Sequence, residues 1–83
     1  MKVQVRYFAS LREGLGAAEA VDIPPGSTVG QLRDALLARS ERHAELLARG
    51  RAVRCALAQK LCDESQALAE GAEVAFFPPV TGG

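Results

Sequence analysis

The stretch Thr28-Val29-Gly30-Gln31-Leu32-Arg33-Asp34-Ala35-Leu36 starts with a helix-opening signal. A threonine hydroxyl can accept the N–H of the third residue on, and Gln31 can reach back to the threonine's own N–H, the reciprocal pairing of a capping box. Val29, Leu32 and Leu36 then follow at helical spacing. The pattern predicts a helix over 29–39, with Arg33 and Asp34 on its outer side. One apolar stripe of this kind has to be covered, and the covering elements lie on both sides of it in sequence.

Upstream, residues 2–8 alternate. Val3, Val5 and Tyr7 face one way and Lys2, Gln4 and Arg6 the other, as in a half-buried strand. Residues 9–16 break that pattern and read as a short turn containing Gly14 and Gly16, with one helical turn at Leu11. Val21 and Ile23 define a second strand over 18–23, ended by Pro24-Pro25-Gly26. So short a connection predicts an antiparallel hairpin. Downstream, Ser40 offers a second cap, and a short helix over 41–49 is expected to bury Leu46 and Leu47 before closing at Gly50. Residues 52–57 alternate, with Val53, Cys55 and Leu57 on one face. Ala58-Gln59 is a tight connection into a short strand over 60–62. Residues 63–69 are irregular, anchored by Leu68. A turn at 70–73 leads into the last strand, where Val74 and Phe76 share one face and Ala75 and Phe77 the other. The order strand, strand, helix, strand, short strand, strand predicts an α+β chain of the β-grasp type. Its mixed sheet is crossed by one main helix plus a short helix, and the last strand pairs near the first.

Eighty-three residues suffice for one small core and leave little room for a deep private active site. Ten basic and ten acidic residues cancel, so there is no positive excess to hold a phosphate backbone and nucleic acid is not an expected partner. No apolar run approaches the ~20 residues of a membrane span. The start of the chain lacks the apolar middle of a secretion signal. A cytoplasmic location with no membrane partner is the expectation.

Catalytic constellations are sparse. His43 is the only histidine and reads as a surface or packing residue of the second helix rather than a general base. Cys55 and Cys62 have neither redox-motif nor zinc-site spacing. They read as two small buried hydrophobes, with an exposed thiol taking part in sulfur chemistry as the alternative. Gly14 and Gly16 lack the third glycine and long helix of a phosphate loop. Asp63-Glu64 point to different sides of any regular element. No metal site is expected. What remains is the closing segment Pro78-Pro79-Val80-Thr81-Gly82-Gly83. The prolines fix φ and reduce the entropy lost when the segment is held. Gly82 and Gly83 can pass a narrow channel. From Pro79 the thread spans about 15 Å when extended. It offers a free carboxyl group at Gly83, which adenylation would activate toward sulfur. The expected division is a domain over 1–79 and a flexible Gly-Gly tail over 80–83.

The block from Glu73 to Gly83 resembles the ubiquitin-like family of molybdopterin synthase small subunits. Supporting matches are Ala9-Ser10-Leu11-Arg12-Glu13 with Gly16, the spacing of Val29, Leu32, Arg33 and Leu36, and Leu68 with Gly71 and Glu73. The likeness extends over essentially the whole chain. It implies a sulfur carrier whose Gly83 is adenylated, with ATP, by an enzyme related to the ubiquitin-activating class, then converted to a thiocarboxylate by a sulfur donor protein. It further implies docking on a large subunit as a heterotetramer, delivery through Pro78, Pro79, Val80, Thr81 and Gly82, and sulfur transfer to cyclic pyranopterin monophosphate to build the molybdopterin dithiolene. No cofactor is expected to be stably bound. Phe77 is implied in apolar docking and Arg12 in a polar partner contact. Ala58 stands where the family often carries asparagine, and Ala72 where an acidic residue often precedes Glu73. Other readings are a carrier for thiamin thiazole or another sulfur pathway, a ubiquitin-like modifier of lysines, and a plain interaction domain.

Overall fold

The computed structural model describes residues 1–79. Among them the elements run β1 (Lys2–Tyr7), α1 (Ala9–Leu15), β2 (Ala18–Asp22), α2 (Val29–Leu37), α3 (Glu41–Leu46), β3 (Arg54–Leu57), β4 (Lys60–Cys62) and β5 (Glu73–Phe77). The sheet order is β2-β1-β5-β3-β4. β1 and β2 form the antiparallel hairpin, β5 lies parallel to β1, and β3 is antiparallel to both β5 and β4. This is the β-grasp arrangement, with the first and last strands side by side in mid-sheet.

The alternation in β1 is realised directly, since Val3, Val5 and Tyr7 are buried and their neighbours exposed. Val74 and Phe76 are likewise buried in β5, with Ala75 and Phe77 half-buried between and after them. Their shared face packs on α2 through Val29, Leu32 and Leu36, all fully buried. The capping box forms as read: Thr28 Oγ1 accepts from Gln31 N, and Gln31 Oε1 accepts from Thr28 N at 2.8 Å. Leu68 anchors the irregular segment in the core. Its N–H donates to Ser27 O at 2.9 Å.

Four expectations change. Residues 9–15 form a helix rather than a turn, so α1 joins the main and the short helix. Leu11 is its buried anchor. Gly16 closes it at φ 93°, a left-handed conformation costly for any side chain. Gly14 sits inside this helix, where an added Cβ would collide with the Leu46 side chain; the glycine lets α1 and α3 approach. Second, α2 stops at Leu37 and α3 at Leu46, so Leu47, not Gly50, is the C-cap of α3. Third, Leu47 is fully buried while Leu46 is only partly so.

The fourth change concerns Arg33, which is not outside but 4% exposed. Its guanidinium donates from Nε to Leu47 O at 2.8 Å and from Nη2 to Ala48 O at 2.7 Å. Nη1 meets Glu64 Oε2 at 2.7 Å. The chain leaving α3 has carbonyls that no helix bond satisfies, and a buried planar fork supplies the missing donors. Arg49 binds Glu64 and Asp34 from the solvent side.

Candidate functional site

Of the functional residues named from the sequence, Phe77, Pro78 and Pro79 lie at the exit of β5. Because β5 is a central strand, its outward residues sit in the middle of the open sheet face. One transverse row on that face runs Ala18, Arg6, Ala75, Ala56 and Leu61, each opposite the next. Ala75 and Ala56 are too small to fill the pleat. Taller side chains surround them: Phe8 just past β1, Leu61 on β4 and Phe77 at the end of β5. The result is an open groove of about 470 Å³ that also takes in Pro78. Leu61 is 69% exposed and Phe8 42%, the two large hydrophobics most open to solvent among the described residues. Exposed apolar side chains clustered on one face mark a contact surface rather than scattered surface residues.

A charged rim borders this groove. Arg6 lies 3.8 Å from Glu73, both about half exposed, and its guanidinium sits 5.8 Å from the centre of the Phe8 ring. Exposed pairs of this kind add little stability but orient polar groups at an apolar edge. Phe77 and Pro78 both line this groove. Arg12 is exposed on α1 and is not part of the groove lining. Pro79, next to Pro78 in sequence, is half-buried. Val80, Thr81, Gly82 and Gly83 lie outside the described residues. The sequence reading missed Phe8, Leu61, Ala56 and Ala75 as a set. Phe8 stands in the outward register of Lys2, Gln4 and Arg6, so an apolar residue there was the available signal; the alanine floor becomes visible only once strand order is known.

Phe77→Ala opens one wall of this groove without touching the inner core of Val74 and Phe76. Binding to a partner seated here is expected to weaken by about 1–4 kcal/mol, with the thermal transition nearly unchanged. Calorimetric titration checks this, and wild-type affinity removes Phe77 from the contact.

The single histidine lies elsewhere. His43 Nε2 is 2.8 Å from Glu19 Oε2, and its Nδ1 is 2.7 Å from Ser40 Oγ. The buried Tyr7 hydroxyl donates to the same Glu19 oxygen at 2.6 Å, and Arg39 Nε approaches the other at 3.1 Å. Burial would raise the Glu19 carboxyl, but hydrogen bonds from Tyr7 and His43 and the charges of His43 and Arg39 outweigh it and hold it below the usual range. Burial, then the Glu19 hydrogen bond and charge, push the Tyr7 phenol up. Ser40 also caps α3 by accepting from His43 N. The cluster ties α3 to the β1–β2 hairpin, and His43 is the packing residue the sequence suggested, with partners the sequence could not show. Among the described residues no group of three or more His, Cys, Asp or Glu could hold a metal, and no helix is long and apolar enough to cross a membrane.

The ThiS family profile matches residues 5–83. The molybdopterin synthase sulfur carrier subunit of Escherichia coli is 44% identical over 84 residues, covering 98% of this chain and 99% of that protein. Among solved structures, SAMP1 of Haloferax volcanii, a small archaeal modifier protein, superposes with TM-score 0.80 at 29% identity, covering 100% of both chains. A chain from the complex of subunits 1 and 2 of the Helicobacter pylori molybdopterin-converting factor superposes with TM-score 0.71 at 27% identity, again over 100% of both. The sequence match and the fold match both run over essentially the full length of this chain, and on these grounds the chain belongs to the ThiS family, alongside the molybdopterin synthase sulfur carrier subunits.

Proposed function

We propose that this chain is the sulfur-carrier subunit of a molybdopterin synthase. Its Gly83 carboxyl is adenylated at the expense of ATP by a partner enzyme. A sulfur donor protein displaces the adenylate to give a thiocarboxylate, and the carrier, docked on a large subunit through the groove at Phe77, delivers that sulfur to cyclic pyranopterin monophosphate. The observation that carries this reading is the placement of β5. A central strand ends at an apolar groove that Phe77 and Pro78 line. Docking the groove thus sets where the thread starts, and Val80, Thr81, Gly82 and Gly83 deliver the carboxyl from there. A two-subunit partnership is supported by the Helicobacter pylori complex. The heterotetramer, the cytoplasmic location and a polar partner contact at Arg12 belong to the same proposal.

The test is intact mass. After incubation with an adenylating enzyme, ATP and a sulfur source, the chain is expected to gain the difference between a sulfur and an oxygen atom, assigned by fragmentation to Gly83. No gain with an enzyme active on another carrier would overturn the reading. The likeness to SAMP1 favours one second reading, a modifier joined to lysines through the same activated glycine. Isopeptide-linked Gly83 on target proteins, without thiocarboxylate, would select it. A carrier for thiamin thiazole would instead show the same mass gain but no sulfur transfer to the pyranopterin.

A further inference from the structure

Cys55 and Cys62 are seven residues apart in sequence, a spacing that names no motif. The structure makes them a pair. The β3–β4 hairpin turns through Ala58 and Gln59, both in the left-handed region at φ 50° and 69°. Two central residues at positive φ are those of the tight hairpin turn whose twist matches its strands. Leu57 then faces Lys60, Ala56 faces Leu61, and Cys55 faces Cys62. Directly opposed residues on antiparallel strands have Cα atoms about 4.5–5.5 Å apart, inside the window of about 4.4–6.8 Å that a disulfide spans. The two Sγ atoms are 3.6 Å apart, and the Cys55 thiol donates to Cys62 O at 3.3 Å.

The pair has one buried and one reachable member. Cys55 closes the inner row formed with Tyr7 and Phe76 and is buried, while Cys62 is half-buried on the outer strand of the sheet. A cleft of about 270 Å³, lined in part by Cys62, Cys55, Leu61 and Asp63, opens beside them. Burial, then the Cys62 hydrogen bond and charge, push the Cys55 thiol up to about 12. That site disfavours a thiolate and accepts a neutral sulfur.

We infer that Cys55 and Cys62 are a disulfide-forming dithiol that reacts with the disulfide of a small thiol compound entering the cleft at β4. The Cys62 thiolate attacks one sulfur of that disulfide, forming a mixed disulfide and expelling one thiolate. The expelled thiolate takes up a proton. The Cys55 sulfur, losing its proton, then attacks Cys62 Sγ and expels the second thiol. Two protein thiols are oxidised to one disulfide, and one external disulfide is reduced to two thiols. The product is neutral, needs only side-chain rotation from 3.6 Å to a bond of about 2.05 Å, and staples the edge strand that carries Leu61 to β3. It concerns a different group from Gly83 and stands whether or not the carrier reading holds.

The test uses the full chain in buffers of reduced and oxidised glutathione, quenched by alkylation and read by mass. Trypsin cuts after Arg54 and Lys60, so Cys55 and Cys62 leave on separate peptides, 55–60 and 61–83, unless they are joined. The expected result is a monomer lighter by two hydrogens whose two peptides run as one until reduced. Cys55→Ser should stop instead at a glutathione adduct on Cys62. Two alkylated thiols persisting in oxidised glutathione, separate glutathione adducts on both cysteines, or dimers joined through Cys62 would each overturn the proposal. The wild-type arm decides the matter alone if a serine variant folds poorly.

Discussion

Deleting Gly83 is expected to abolish sulfur transfer and leave the fold as it is. Every strand and helix of the described structure ends by Phe77, and Phe76 is the last of the described core residues, so the deletion removes no member of that core. A change that leaves the core untouched typically moves stability by no more than about 0.5 kcal/mol. The chemistry is another matter. Gly82 would then carry the carboxyl, retracted by about 3.5 Å from a start fixed by docking at Phe77. A misplacement near 1 Å can already cost about 100-fold in a positioned reaction, so a full residue should reduce transfer to background. Two measurements check this: thiocarboxylate on the carrier by mass, and conversion of the pyranopterin by the assembled synthase. Wild-type conversion by the deleted chain would sink the carrier reading, since it rests on that one group. Gly83→Ala keeps the length and should lose less in conversion than the deletion does, which separates reach from the need for a bare glycine.

The fold was largely legible because its strongest signals are local and repeat. Val3, Val5 and Tyr7 alternate, Thr28 and Gln31 cap, and Val29, Leu32 and Leu36 return at helical spacing; each acts within a few residues of itself. What escaped was set by distant partners. α1 carries a glycine in its interior and a second at its C-cap, poor helix formers, and forms because Leu11 finds the core and Gly14 finds Leu46. Arg33 reads as a solvent residue until the carbonyls of Leu47 and Ala48 are placed beside it. The site divides in the same way. Phe77 and Pro78 could be singled out from a contiguous block, but the groove they share with Phe8, Ala56 and Leu61 exists only through the register of four strands. The opposition of Cys55 and Cys62 likewise follows from a two-residue turn, not from their spacing.

Replacing Arg33 by leucine is expected to destabilise the fold by about 1–3 kcal/mol, the cost of leaving a buried acceptor unpaired. Here the larger share of the loss falls on the carbonyls. Glu64 is one-third exposed and keeps Arg49 as a partner, so water and a second guanidinium compensate its charge. The Leu47 carbonyl has no such recourse, while Ala48 O keeps the N–H of Arg51 at 2.9 Å. Arg33 meets the Leu47 and Ala48 carbonyls through one planar group, at 2.8 and 2.7 Å, and an apolar replacement leaves the buried Leu47 acceptor unpaired at about 1–3 kcal/mol and strips Ala48 O of its charged donor. A chain of this length has only about 4–12 kcal/mol of stability in total, so the variant should unfold at a much lower urea midpoint with its m-value retained. Arg33→Lys preserves the charge but presents a compact ammonium in place of the fork. It can serve Glu64 or one carbonyl, not all three, and should recover less than half of the loss. Equal stability of the leucine variant and the wild type would mean that the carbonyls find other donors and that α3 is held by Leu47 alone. An intermediate lysine variant would assign the difference to the geometry of the guanidinium rather than to its charge.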